Sequence, residues 1–206
     1  DKNTKVFDFP KKCPSCGAKT VKEHNINTKK KDAVTRCPDL KFNCKEILRE
    51  KLKHFVSKEA LNIEGFGKKV VENFWDKKLI KFSYDIFDLD LNILKNLDGW
   101  GEKSINNLKN SINKSKETSL DRFIYSLGIR HIGGENAKVL AKHFLNAQKF
   151  FDISEKLSDN PKHLDELQSI DGIGASQTES LKKFFSNDQN LKITLKLINI
   201  LNIKNY

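Results

Sequence analysis

The sequence predicts a mainly α-helical protein, with a small four-cysteine module ahead of a body built from four repeated helix–turn–helix units. Three observations predict it. All four cysteines fall within the first 44 of 206 residues. Nine of the ten glycines lie in or beside four similar short segments. Between those segments, apolar residues recur at i, i+3 and i+4, the period of one helix face. The chain carries 38 Lys plus Arg against 27 Asp plus Glu, a net charge of +11, and its 14 Phe argue against wholesale disorder. No apolar run approaches the ~18 residues of a membrane span, which excludes an integral helical membrane protein. The surplus of positive charge favours a polyanionic partner. Methionine is absent, as expected of a piece excised from a longer protein.

The first element is the cysteine module. Cys13-Pro14-Ser15-Cys16 and Cys37-x6-Cys44 read as two knuckles. A tight C-x-x-C turn lets two thiolates converge on one Zn²⁺, and a second pair closes the tetrahedron. Four thiolates leave no open position, so the expected zinc is structural. Gly17 follows the first knuckle, where a positive φ is often required. A pair of disulfides or a redox C-x-x-C is the alternative, and His24 is a conceivable substitute ligand. The segment from Thr20 to Thr35, with Lys29-Lys30-Lys31, is too polar to form a core, so metal binding would supply most of its folding free energy.

The body then repeats one pattern: apolar, any, Gly, apolar, Gly, helix. It occurs as Ile63-Glu64-Gly65-Phe66-Gly67, Leu97-Asp98-Gly99-Trp100-Gly101 and Ile170-Asp171-Gly172-Ile173-Gly174. A degenerate copy, Ile129-Arg130-His131-Ile132-Gly133, has His131 in place of the first glycine. The final glycines are spaced by 34, 32 and 41 residues, which marks one supersecondary unit used four times. Amphipathic stretches follow each final glycine, and helices are expected before each turn over Lys51–Leu61, Ile86–Leu97, Leu120–Leu127 and Pro161–Ser169. A closing helix is expected over Leu191–Leu201. The run Lys114-Ser115-Lys116-Glu117 reads as a solvated face. Trp75 and Phe82 read as core, and His54 as a satisfied surface histidine.

Two helices joined by a two-glycine turn make a helix-hairpin-helix. Its glycines are expected to take positive φ and to let the backbone approach a ligand closely. The turn sits at the second helix's N-terminus, where unpaired amides and the helix dipole attract anions. A DNA phosphate fits that site, and such contacts position a protein without reading sequence. Phe66, Trp100, Ile132 and Ile173 are expected to tuck inward and brace the turns. The candidate DNA-contacting residues are Gly65, Gly67, Lys68, Lys69, Gly99, Gly101, Lys103, Ser104, Arg130, Gly133, Gly172 and Gly174. The candidate metal ligands are Cys13, Cys16, Cys37 and Cys44, and no residue is assigned a catalytic role.

Together these features resemble the C-terminal half of the bacterial NAD-dependent DNA ligases. The matching stretches are Phe9-Pro10-x-x-Cys13-Pro14-x-Cys16-Gly17, Arg36-Cys37-Pro38 and Leu52-Lys53-His54-Phe55-Val56-Ser57-Lys58-Glu59-Ala60. Further on come Gly101-Glu102-Lys103-Ser104 and Ser126-Leu127-Gly128-Ile129-Arg130-His131-Ile132-Gly133-Gly134-Glu135. The 20 residues between Cys16 and Cys37 exceed the family pattern, and the second knuckle is also loose. The resemblance implies the exit of an OB-fold barrel over 1–12, a zinc finger over 13–50 and a four-repeat helix-hairpin-helix domain over 51–206. It further implies a cytoplasmic, nucleoid-associated bacterial enzyme that seals nicks in duplex DNA, whose N-terminal adenylation domain uses NAD⁺ and Mg²⁺. This chain has no adenylation motif, so alone it is expected to clamp nicked DNA without ligating. A non-catalytic DNA-binding module of another repair or recombination protein, or a helical adaptor, would share the hairpins.

Overall fold

A computed structural model describes residues 9–24, 30–39 and 42–206. Most of the expected barrel exit, through Asp8, and Lys29 of the lysine run lie outside the described residues. The chain divides into two compact units, Asp1–Leu48 and Arg49–Tyr206. In the first, isolated antiparallel bridges join Lys12 to Lys19, Val21 to Arg36 and His24 to Lys31.

The rest is mainly helical. Helices α1 (Lys45–Phe55) and α2 (Lys68–Asp76) flank the first glycine turn, and α3 (Glu102–Ser115) follows the second. Helices α4 (Leu120–Ser126) and α5 (Gly134–Phe144) flank the third turn, and α6 (Ala147–Glu155) comes next. The fourth turn lies between α7 (Pro161–Gln168) and α8 (Ala175–Phe185), and α9 (Asp188–Ile200) closes the body. Pro161 at the first turn of α7 and Asn160 capping the Lys162 amide show why that helix starts there. Among the described residues, no helix is long and apolar enough to cross a membrane.

Three elements differ from expectation. The expected helix Lys51–Leu61 begins earlier and ends at Phe55, with turns carrying the chain on to Asn62 at φ +50°. The expected helix Ile86–Leu97 is two short 3₁₀ segments, Ser83–Asp88 and Leu91–Asn96. Asp85 accepts from the amides of Lys81 and Phe82 at 2.8 Å each, and Asp90 accepts from Asn92. Such local side-chain bonds compete with continuous α-helix, while Ile86 and Leu94 still reach the core. Finally, the body is not wholly helical. Strands β1 (Glu117–Ser119) and β2 (Asn202–Lys204) pair in parallel, with Glu117 opposite Asn202. The Lys114–Glu117 run is therefore no plain solvated face: Ser115 is buried and donates to Ile112 O at 2.8 Å, and Glu117 opens the strand.

One core runs from Leu52 to Leu201, and its rings join the hairpins in pairs. Phe74 of α2 contacts Phe66 of the first turn at 5.3 Å and Trp100 of the second at 5.6 Å between centroids. Phe150 of α6 contacts Phe144 of α5 at 5.3 Å and Phe185 of α8 at 5.6 Å. Phe66, Ile132 and Ile173 are buried under their turns, and Trp100 is half-buried against the same core. Trp75 is likewise packed on it, whereas Phe82 stacks on Tyr84 at 5.6 Å.

Because Phe150 is fully buried between the helices of two hairpins, Phe150→Ala is expected to cost about 3–5 kcal/mol. Urea unfolding followed by helical circular dichroism checks this. A loss below about 1 kcal/mol would show that the pair does not depend on this ring.

Candidate functional site

The first site is a cluster of four sulfurs. Gly17 takes φ +72°, and the first knuckle closes with Gly17 N–H donating to Cys13 O and Cys13 N–H to Ala18 O, both at 2.8 Å. At the second, Asp39 Oδ1 accepts from the amides of Asn43 (3.1 Å) and Cys44 (2.9 Å), which ties Asp39 to the Cys44 side of the knuckle. Cys13 Sγ lies 3.9 Å from Cys44 Sγ, and Cys16 Sγ lies 3.5 Å from Cys37 Sγ. All four atoms fall within 4.8 Å of one another, and all four thiols are free. Sulfurs ~2.3 Å from a common centre sit about 3.8 Å apart along a tetrahedron's edges. A disulfide needs ~2.05 Å. The spacing therefore fits one tetrahedral thiophilic metal and does not fit two disulfides. His24 is exposed and outside the cluster.

The cluster's charge leads to the same chemistry. The backbone amides of Cys16 and Ser15 draw the Cys13 thiol down to about 7. Burial pushes Cys37 up to about 12. Cys16 is lowered by the Ala18 amide, but burial and the nearby Cys13 and Cys44 raise it on balance. Cys16 and Cys37 are raised by burial and because the four sulfurs cannot all carry charge at this spacing unless a cation lies among them.

The second site is the set of turns. In every copy the amide before the final glycine donates to the carbonyl three residues back: Phe66 to Ile63 (3.1 Å), Trp100 to Leu97 (3.2 Å), Ile132 to Ile129 (3.1 Å) and Ile173 to Ile170 (3.0 Å). The third turn residue is left-handed in each, with φ +80° at Gly65, +83° at Gly99, +60° at His131 and +89° at Gly172. This is the pattern of a type II turn. Within each turn, positive φ is thus confined to the third residue, glycine in three copies and His131 in the other. The final glycines are extended helix caps, with φ −69° at Gly67, −96° at Gly101, −83° at Gly133 and −98° at Gly174.

The caps differ between copies. Ser104 Oγ accepts from Gly101 N–H at 3.0 Å and donates to Gly101 O at 2.7 Å. Gln177 Oε1 accepts from Gly174 N–H at 3.2 Å. No side chain caps α2 or α5. Lys68, Lys69 and Lys103 are exposed in the first turns of α2 and α3, and the fourth copy offers only Ala175, Ser176 and Gln177 there.

The structure brings these residues together in two groups. Gly65, Lys69, Gly99 and Ser104 line one cleft of about 1350 Å³, floored in part by Trp100 and Leu108. In the other group, Gly172 approaches Val139 of α5, and His131 meets Ser180 of α8 at 3.0 Å. His131 itself was legible only as a defect in the pattern. The available signal was chemical: histidine is among the few non-glycine residues enriched in left-handed backbone. His54 is satisfied as expected, with Nε2 2.8 Å from Tyr125 O.

A family model described as a helix-hairpin-helix motif matches residues 122–194, the third and fourth hairpins. Three relatives are each named DNA ligase. That of Pelagibacter ubique (strain HTCC1062) is 53% identical over 202 residues, covering 98% of this chain and 29% of the relative. That of Rickettsia bellii (strain OSU 85-389) is 43% identical over 208 residues, covering 98% and 29%. That of Wolbachia pipientis wMel is 45% identical over 196 residues, covering 93% and 28%. The chain thus spans less than a third of the length of these relatives. Through almost all of its own length, this helix-hairpin-helix chain is homologous to one segment of the DNA ligases.

Proposed function

We propose that the chain is the DNA-gripping segment of an NAD-dependent DNA ligase, holding duplex DNA around a nick while domains elsewhere in the longer protein seal it. The hairpins bind backbone phosphates without reading sequence, through final-glycine amides and the lysines beside them. The metal is one structural zinc on Cys13, Cys16, Cys37 and Cys44. NAD⁺ and Mg²⁺ act in the adenylation domain of the longer protein, which with its OB-fold works in the cytoplasm beside the nucleoid. Alone, the 206-residue chain binds nicked duplex but does not join it, contributing only alignment of the ends.

One observation carries this reading. A Cβ at Gly67, Gly101 or Gly133 would meet nothing within 4 Å, and none of these residues is left-handed. Neither packing nor backbone conformation inside the chain demands glycine there. As a helix cap, Ser, Asp or Asn would serve better. Close approach of an external anion to the bare backbone accounts for the choice, and the +11 charge supplies the sign.

The test separates binding from stability. Gly67→Ala with Gly101→Ala is expected to lower thermal unfolding by no more than about 5 °C, the cost of two weaker caps, and to weaken binding to nicked duplex at least about tenfold in fluorescence anisotropy. The parent's log K should fall steeply and linearly with log salt. Unchanged affinity in the double variant would overturn the glycine-amide grip, and a flat salt response would point to the adaptor reading.

The metal makes a second prediction. Without a metal, Cys16 and Cys37 are raised above the ordinary thiol value of 9.0, so both are protonated at about pH 8, while metal-bound sulfur is thiolate. Zinc uptake is therefore expected to release at least about two protons per site, and affinity to fall as pH falls. Calorimetry in buffers of different ionisation enthalpy measures this directly. A stoichiometry far from one metal per chain, or no buffer dependence, would contradict it.

A further inference from the structure

We propose that His131 is a positioning residue: it ties the third hairpin to the fourth and aims the Arg130 guanidinium at the phosphate held by the third turn. The proposal rests on the DNA-gripping reading above. Three hydrogen bonds run in one direction. Ser180 Oγ donates its single hydrogen to Ser176 O at 2.8 Å. It is therefore the acceptor for His131 Nδ1 at 3.0 Å, which places a proton on Nδ1. His131 Nε2 then has a lone pair, and Arg130 Nε donates to it at 3.3 Å. Donors and acceptors close on one tautomer only, with Nδ1 protonated and Nε2 bare. The chain of bonds reaches from the turn of the third hairpin to the helix that follows the fourth.

Two further features set this copy apart. His131 occupies the left-handed turn position held by glycine in the other copies, at φ +60°. A side chain there is strained relative to glycine. Its carbonyl is held by Asn136 Nδ2 at 2.8 Å, so the strained turn is braced from α5 as well. At the preceding turn position the other copies carry Glu64, Asp98 and Asp171, while this one carries Arg130. Among the four described turns, the one with a cation in the turn itself is the one with an imidazole beside it. The strain of His131 is explained if its ring holds Arg130 for the phosphate at the Gly133 cap, which makes no side-chain cap hydrogen bond.

Ser180→Ala removes the anchor while leaving His131 and Arg130 in place. It is expected to weaken binding of the 206-residue chain to nicked duplex about fivefold, the worth of one hydrogen bond. Ser180→Thr, which keeps the hydroxyl, should restore binding. Arg130→Ala with Ser180→Ala should bind no more weakly than Arg130→Ala alone, because both changes break one device. In the parent, ¹⁵N chemical shifts of the His131 ring should report the Nδ1–H tautomer when the ring is neutral, and Ser180→Ala should abolish that preference. Additive losses, or an unaffected Ser180→Ala variant, would overturn the positioning role. An Nε2–H tautomer in the parent would overturn the strut itself. If the parent does not bind duplex at all, the DNA reading fails and the aim of Arg130 with it, whereas the tautomer still decides the strut.

Discussion

One turn governs this protein. A hydrogen bond from the fourth residue to the first, with the third residue left-handed, reverses the chain in four places. The same geometry fixes what lies on either side. The fourth residue must point into the body, so Phe66, Trp100, Ile132 and Ile173 each brace a turn from beneath. The fifth must open a helix, so each turn presents a helix N-terminus outward. Core and outer surface are consequences of one backbone constraint, repeated.

The two units meet different folding problems. The larger has fully buried phenylalanines that span hairpins, and its end is tied back to its middle. Asn202 N–H donates to Lys116 O, and Tyr206 N–H to Leu145 O, both at 2.8 Å. The smaller unit is short, and among its described residues buried side chains are few: Cys13, Cys44, Asp39 and Leu48. Two of these four are ligands of the proposed metal. Its stability then depends on the ion in a way the helical unit's does not, since binding energy at such a site is folding energy. The Asp39 carboxylate, buried with Oδ2 unpartnered, accepts the Cys44 amide and so belongs to the architecture of the knuckle.

Much of this was legible in the sequence. The glycine spacing gave the turns, and the periodicity after each final glycine gave α2, α3, α5 and α8, because conformation and burial both leave marks on single residues. The C-x2-C and C-x6-C spacing gave the sulfur cluster for the same reason. What the sequence hid was non-local or competitive. Helix α6 has no glycine landmark, since it lies between copies. Pairing of β1 with β2 joins residues 85 apart, such as Glu117 and Asn202, and three-residue strands carry no alternation to read. Around Asp85 and Asp90, apolar spacing argued for an α-helix, but aspartate side chains captured the backbone amides first. The Cys-module segments near Asn25 and Leu40 lie outside the described residues.

The repeats are alike in backbone and unlike in chemistry, and the difference has a pattern. Ser104 and Gln177 cap the second and fourth hairpins from within, so an incoming phosphate there must share or displace a hydrogen bond already made. The first and third hairpins have no such side chain, and these are the two with paired lysines (Lys68, Lys69) or a cation in the turn (Arg130). Each ring-linked pair thus combines one open, charged hairpin with one self-capped hairpin. Removing an anion from water is costly unless amides and charge meet it together. On that ground the first and third turns are the stronger phosphate sites in the proposed grip, and their self-capped neighbours serve chiefly to hold them rigid. In that grip the four turns share one backbone geometry, and the residues beside them divide the labour.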